Sequence, residues 1–501
     1  MFKWILVSTL FLVGGLAVVF SLNTTQDKSQ TIRDCGVAGS FYPADPEELA
    51  TMVDQLLVKA KKQDISGPVY ALVAPHAGYV YSGHVAAHSY ILLKGRDIKR
   101  VIVISPSHIE SFKGAAIYDG DYYATPLGNV SIDKEFSARL AKENNSLNLS
   151  QKGHTSRRGG RTEHALEVQL PFLQRVLPEF KLVAIVMGDQ SYETCRALGT
   201  ALAKLGNDNH TIIVSSSDLS HFHSYDAAVI MDHKVLNAIE EWDYFNMCRN
   251  FEGRIWEACG GGPIVTAMIA SERMGANKAK ILKYANSGDV AYGDKNSVVG
   301  YAAVAFYKNN PEKAGVKTDF DLSKAEQKHL LNIAKTSVEK VVRDGEMADC
   351  SAGEFKTLAK DRGAFVTLIK NGELRGCIGY TSPLQPLCNT VRDVAAHAAI
   401  KDPRFNPVSK SELDNLHYEI SVLSPFRRVT DINQIKVGQH GLLIKKGKYE
   451  GLLLPQVATD YAWDRLTFLQ QTCRKAGLPL DAWKDDKTDI FMFSAFVFGE
   501  E

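Results

Sequence analysis

The chain has 501 residues, 58 Lys and Arg against 57 Asp and Glu, and a formal net charge of +1 at pH 7. Hydrophobic residues are 45% and charged residues 23%, which excludes a disordered polymer, a collagen-like fibre and a polytopic membrane protein. The length excludes one small domain, the balanced charge argues against nucleic-acid binding driven by whole-chain charge, and 8 Cys with no C-x-x-C pair support neither a disulfide scaffold nor a zinc ribbon.

In chain order the first element is an apolar run. No charged residue occurs from Trp4 to Gln26, and Lys3 precedes the run. This predicts a signal peptide or an uncleaved membrane anchor, with a polar spacer, over 1–31. About 19 apolar residues just cross a hydrocarbon core of about 30 Å. The expected location is therefore membrane-anchored or exported, with an extracytoplasmic body. Lys28 and Arg33 on the far side keep a cytoplasmic orientation open.

Short Val- and Ile-rich runs at 70–74, 100–105, 181–187 and 211–215 predict strands. Helical patterns at 164–176 and 192–205 lie between them, and an apolar run at 298–307 closes the block. Alternating strands and helices predict an α/β domain over 32–308. A polar stretch with Pro311 marks a linker over 309–322. The second domain, 323–501, opens on a capping box of Ser323 and Glu326 before a helical stripe of Leu330, Ile333, Ala334, Val338, Val341 and Val342. Asn371-Gly372 between 365–369 and 374–378 predicts a type I′ hairpin. A second hairpin is expected about 446–448 and a further strand at 417–423. Hairpins mixed with helices make this domain α+β.

Four candidate groups share one placement. His76 follows the first strand, His108 the second, and Asp218 and His221 the strand ending at 215. In open α/β sheets the ligand crevice lies outside the carboxyl ends of the strands, so three such loops carrying His form a constellation. Any one of these His, taken alone, is more simply a loop residue with an ordinary hydrogen bond. Cys259, in Cys-Gly-Gly-Gly-Pro-Ile, precedes a helix that Pro263 suits at its first turn. A thiol there gains thiolate character, although a Cys is more often a small buried hydrophobe. Two or three imidazoles with a thiolate suit Fe, Cu or Zn rather than Mg or Ca. His164 is expected at the pocket, with helix capping as the plainer role. His221 is preferred to His223, and His84 and His88, four apart, share a helix face.

These motifs carry a resemblance. Ala-Gly-Ser-Phe-Tyr-Pro at 38–43, Ala-Pro-His-Ala-Gly-Tyr at 74–79, Ser-Pro-Ser-His at 105–108, Glu-His-Ala-Leu-Glu-Val-Gln-Leu-Pro-Phe at 163–172, Ser-Ser-Asp-Leu-Ser-His at 216–221 and Cys-Gly-Gly-Gly-Pro-Ile at 259–264 make the first domain resemble the Memo family. That resemblance implies a fold similar to the class III extradiol dioxygenases, which use non-haem Fe(II). It implies that His76, His108 and Cys259 are metal ligands and that Asp218 and His221 are further pocket residues; if the site is a metal-dependent oxidoreductase, His221 is expected as the catalytic acid/base with Asp218 orienting it. Cys259 stands where the extradiol enzymes have a carboxylate, so ring cleavage does not carry over.

The second domain resembles the AMMECR-like family through Leu-Arg-Gly-Cys-Ile-Gly at 374–379, Asp-Pro-Arg-Phe at 402–405 and Gly-Leu-Leu-Leu-Pro-Gln at 451–456. Arg375 and Cys377 alternate with Leu374 and Gly376 along a strand. They are either a site or the edge of a tight hairpin whose glycines admit another backbone. The two domains together resemble two of the three components of the AmmeMemoRadiSam system, which implies a radical-SAM protein as partner. The chain itself lacks the C-x-x-x-C-x-x-C run of such an enzyme.

The expected function is a metal-binding redox or dioxygenase-like protein, with Fe(II) as the leading cofactor, Cu or Zn as alternatives, and a small molecule or peptide as substrate. The alternative is a non-catalytic metal- or peptide-binding module supporting the radical-SAM enzyme. A zinc hydrolase is less favoured because no H-E-x-x-H helix occurs. No basic-aromatic stripe points to nucleic acid.

Overall fold

The computed structural model describes residues 30–155, 157–158, 161–309 and 322–500. The apolar run at 4–22 and linker residues 310–321 lie outside these. Among the described residues no helix is long and apolar enough to cross a membrane. The expected membrane-anchored, extracytoplasmic placement is corrected on that finding. The longest described helix, Lys324–Asp344, has 21 residues. It buries only one stripe (Leu330, Ile333, Ala334, Val338 and Val341) and leaves Lys324, Lys328 and Lys335 in solvent, as a helix lying on a core does.

The first domain is built on a nine-stranded sheet. Its centre is four parallel strands: β1 (Val69–Ala74), β2 (Arg100–Pro106), β3 (Lys181–Met187) and β4 (Thr211–Ser216), in the spatial order β1-β4-β2-β3. Strand side chains alternate between faces, and both faces are buried. Ala71, Val73, Ile102, Ile104, Val183, Ile185 and Ile213 join one apolar cluster. Leu72, Ala74, Val101, Val103, Leu182, Ala184, Ile212 and Val214 join the other. That explains why these strands read as continuous apolar runs. Each fully buried Val, Leu or Ile contributes roughly 1.5–3 kcal/mol. Helices α1 (Tyr79–Tyr90), α2 (Tyr192–Gly206), α3 (Tyr225–Glu240) and α4 (Gly261–Met274) flank the sheet. Beyond β1 lie antiparallel β6 (Val298–Tyr307) and the short β5 (His221–His223).

One expected helix differs. Residues 164–166 form no helix, Glu167–Gln169 is a 3-10 turn, and the α-helix proper is Leu170–Val176. Pro171 starts it, as a residue without an N–H can. Glu167 is wholly buried and committed elsewhere. It accepts from Arg33, from the Tyr42 hydroxyl and from the N–H groups of Gly36 (2.8 Å) and Val37 (3.0 Å).

The second domain carries α5 (Lys324–Asp344) and α6 (Leu387–Ile400) on a sheet in the order β8-β7-β9-β12-β10-β11. These strands are β7 (Ala364–Lys370), β8 (Glu373–Tyr380), β9 (Leu416–Leu423), β10 (His440–Lys446), β11 (Tyr449–Leu453) and β12 (Asp489–Gly499). Both expected hairpins form. Asn371 (φ 53°) and Gly372 (φ 81°) take the two left-handed positions that a type I′ turn demands.

The two domains share a core. The Phe245 ring lies 4.7 Å from Phe491 and 5.8 Å from Phe426. Asp489, 1% exposed, accepts from the Tyr192 hydroxyl at 2.9 Å, from Arg273 at 3.3 Å and from Arg196. A cavity of about 230 Å³ between the domains is lined by Lys234, Glu241, Asp243, Trp256, Lys360 and Arg362, and by none of the motif His residues.

Candidate metal centre

The parallel strands deliver the candidate side chains to one edge. His76 comes off β1, Asp218 off the central β4 and His108 off β2, so the two His flank the strand that carries the aspartate. Cys259 arrives from the turn before α4. Gly260 and Gly262 let that turn sit close. A Cβ on Gly260 would lie 2.3 Å from the Ser216 carbonyl oxygen, and one on Gly262 would lie 2.7 Å from Gln190 Cβ. Gln190, just beyond β3, holds the turn from both sides. It donates to the Cys259 carbonyl at 2.9 Å and accepts from the Gly262 N–H at 2.7 Å.

His76, His108 and Cys259 each offer one ligand atom, and these atoms lie within 4.8 Å of one another. His76 Nε2 is 3.1 Å from Cys259 Sγ. The imidazoles of His76 and His108 meet edge to face, with centroids 5.2 Å apart.

Hydrogen bonds behind the rings select which nitrogen is free. The Ser216 hydroxyl donates to the Ala165 carbonyl at 2.6 Å, so toward His76 Nδ1, 2.8 Å away, it can only accept. His76 therefore donates from Nδ1 to Ser216 and turns Nε2 toward Cys259. Gln169 fixes Ser216 in turn, donating at 2.7 Å. His108 Nδ1 lies 3.0 Å from Glu163 Oε1, which leaves its other ring nitrogen for the cluster. A His held by a carboxylate or a neutral acceptor through its rear nitrogen is the common arrangement behind a metal ligand.

Electrostatics agree with this geometry. Burial pushes the Cys259 thiol up, but the imidazoles of His76 and His108 outweigh it and bring the thiol down to about 7. Burial lowers His108, while the Cys259 and Glu163 charges raise it to about 10. Glu163, 2% exposed, is held as a carboxylate at about 2 against burial, chiefly by His108. The thiolate character expected from the helix start thus comes from the two rings. Asp218 is pushed up to about 6 by burial, opposed by the His76 N–H and by the charge of His221. Its own N–H donates to Cys259 Sγ at 3.2 Å.

The remaining expected residues fall in three places. His164 joins the cluster wall, its ring stacked on His108 at 4.8 Å; burial, then repulsion from His76 and His108, lowers it to about 3. His221 lies on β5, where its charge acts on Asp218; its N–H points to Glu257 at 3.4 Å. Arg375 and Cys377 are on β8 in the other domain. Arg375 pairs with Glu412 at 2.9 and 3.2 Å. The Cys377 N–H donates to Asp402 at 2.8 Å, its carbonyl accepts from Arg404 at 3.2 Å, and its sulfur accepts from the Thr367 hydroxyl at 3.4 Å.

Glu163, Gln169, Ser216 and Gln190 support the site without having been singled out in the sequence. Glu163 could have been found, since it immediately precedes His164 in a motif otherwise read as a helix start. Glu163 also forms a second group with His108 and His164 whose ligand atoms lie within 4.8 Å. Its oxygens, however, already accept from His108 Nδ1 and from the N–H groups of His108, His164 and Ala165. That makes it an orienting carboxylate rather than a free ligand.

The fold and this donor cluster define a Memo-type domain joined to a second α+β domain, and sequence comparison agrees. The profile of the Memo-like protein family matches residues 33–305, and that of AMMECR1 matches residues 331–498. The chain belongs to the Memo-like family and carries an AMMECR1 domain fused behind it. A MEMO1 family protein of Methanopyrus kandleri is 37% identical over 285 residues, 55% of this chain and 98% of its own length. One from Methanobrevibacter smithii is 37% identical over 288 residues, 55% of this chain and 99% of its own. The crystal structure of an uncharacterized Pyrococcus horikoshii protein is 38% identical, covers 36% of this chain and 95% of its own, and superposes with a TM-score of 0.34.

Proposed function

We propose that this protein binds one transition-metal ion through His76, His108 and Cys259, with redox-active Fe(II) as the preferred ion and Cu or Zn as alternatives. The observation that carries the reading is the convergence of three ligand atoms within 4.8 Å, with His76 Nδ1 and His108 Nδ1 both engaged from behind. Two imidazoles and a thiolate fit such ions and fit Mg or Ca poorly. A bound iron or copper ion would supply one-electron redox or oxygen chemistry.

The chain's own groups supply the rest. Glu163 and Ser216 set the ring orientations. Asp218, lifted to about 6 by burial, holds or releases a proton beside His76 near neutral pH, and His221 biases that proton by its charge. His164, kept neutral by burial, walls the pocket for an uncharged edge of a small molecule or peptide. In this reading the division into 32–308 and 323–501 separates the metal domain from a domain that serves the partner. That partner is proposed to be a radical-SAM protein of the AmmeMemoRadiSam type; the fusion of a Memo domain to an AMMECR1 domain, which resemble two of the three components of such a system, supports the reading.

The test is anaerobic metal analysis of the purified chain. One ion per chain is expected, and His76→Ala should lose it while circular dichroism stays unchanged. Metal retained at full occupancy in His76→Ala would remove the assignment. For the partner, co-purification of a radical-SAM protein with the tagged chain from its own host is expected. Its consistent absence would remove that part alone.

A further inference from the structure

The second domain holds a pair of thiols that the metal site does not use. Cys350 lies in the irregular segment after α5, and Cys388 is the second residue of α6. Both thiols donate to one oxygen, Asn389 Oδ1, at 3.2 Å from Cys350 and 3.3 Å from Cys388. The two sulfurs therefore face one shared point beside the start of α6. Their accessibility differs: Cys350 is partly exposed, whereas Cys388 is 3% exposed. Burial raises the Cys350 thiol above its ordinary value, and the Arg392 guanidinium, one turn along α6, opposes that rise only in part. The backbone beside them is well fastened. The Cys388 N–H donates to the Leu358 carbonyl at 3.2 Å, the Leu387 N–H donates to the Lys360 carbonyl at 2.9 Å, and the Ser351 carbonyl sits 2.8 Å from His329 Nε2 of α5.

We infer that Cys350 and Cys388 form a redox-active dithiol that closes to a disulfide by exchange with a low-molecular-weight disulfide. The more accessible Cys350 and the buried, resolving Cys388 have separate parts in the exchange. Cys350 thiolate attacks one sulfur of the small disulfide, forming a mixed disulfide and expelling one thiolate. Cys388 then loses its proton and attacks Cys350 Sγ, which expels the second thiolate. Two protein thiols are oxidised, one small disulfide is reduced, and the two protons end on the two small thiols.

The consequence reaches the domain junction. The segment that begins at Cys350 runs on to Lys360, Asp361 and Arg362. Lys360 and Arg362 contact Glu241 of the first domain at 3.3 and 2.6 Å, and Asp361 contacts Lys234 at 3.0 Å. A bond from Cys350 to α6 would fasten this strap at both ends, so oxidation should raise the thermal midpoint of the intact chain.

The experiment uses the full chain in glutathione buffers stepped from reduced to oxidised, followed by thiol alkylation and peptide mapping. The expected result is joint loss of alkylation at Cys350 and Cys388, with a linked peptide pair lighter by two hydrogens. Cys388→Ala should trap glutathione on Cys350, and Cys350→Ser should leave Cys388 a free thiol. Two outcomes would overturn the inference: glutathione accumulating on Cys350 of the unaltered chain without a linked pair, or both thiols staying fully alkylatable in the most oxidising buffer. Both readouts are taken on the unaltered chain, so a poorly folded variant does not affect them.

Discussion

The carboxyl edge of the first sheet and the free edge of the second carry the chain's two most motif-like stretches, and they use their polar groups in opposite ways. At the first edge, His76, His108 and Cys259 turn their donor atoms toward one another, and their other polar atoms are bonded from behind. At the second edge, the N–H, carbonyl and sulfur of Cys377 each already have a protein partner, and Arg375 lies on Glu412. Asp402 and Arg404 stand in for the missing neighbour strand, which is how an unpaired edge is satisfied. A motif of reactive residue types is thus a candidate site where ligand atoms from several elements converge on one another, and is architecture where each group is bonded separately to its surroundings.

The largest effect that would break this contrast is at Glu163. Glu163→Gln keeps the shape but weakens the hold on His108. It should lower metal affinity by roughly 10–100-fold, as outer-shell substitutions do, measured by chelator competition with the fold unchanged. An unchanged affinity would mean that the rear bond to His108 does not orient a ligand.

At the second edge the expected effects are on stability alone. A Cβ on Gly376 would sit 2.3 Å from the Ala398 carbonyl oxygen of α6. Gly376→Ala should therefore destabilise the protein by about 1–3 kcal/mol through overpacking, read as a lower thermal midpoint with metal content intact. Loss of metal from this variant would tie the second edge to the first.

A smaller effect is expected at Asp402, whose carboxyl the Arg404 guanidinium and the Cys377 N–H hold well below its ordinary value. A carboxyl depressed in the folded state adds stability above its unfolded value and loses it as pH falls toward the folded one. Asp402→Asn should cost about 1 kcal/mol at pH 7, given how far Arg404 is exposed. The difference from the unaltered chain should shrink below about pH 4. A difference that does not change with pH would show that the carboxylate charge is not what holds the edge.

The candidate ligand cluster was legible in the sequence because strand ends are local signals. Val- and Ile-rich runs ending at Ala74, Pro106 and Ser216 put His76, His108 and Asp218 on one edge whatever the rest of the chain does. The capping box at Ser323 and the Asn371-Gly372 turn were legible for the same reason. What was not legible depends on contacts distant in sequence. Glu163 reaches back 55 positions to His108. Gln190 reaches forward 69 positions to Cys259. The ring contacts of Phe245 with Phe426 and Phe491 join two domains that read as separate. A buried Phe or Gln looks alike in sequence whichever partner it meets. In place of the expected helix over 164–166 there is a turn, in which Glu163 accepts the N–H groups of His164 and Ala165.

The central claim is that Cys259 and the two imidazoles bind the same ion. Cobalt(II) titrated anaerobically into the metal-free chain tests it most directly, because a thiolate ligand produces a near-ultraviolet charge-transfer band that imidazoles alone do not. One equivalent should saturate that band in the unaltered chain. Cys259→Ser should abolish the band while leaving weaker cobalt binding on His76 and His108. The same band persisting in Cys259→Ser would place the metal on another cysteine and contradict the account.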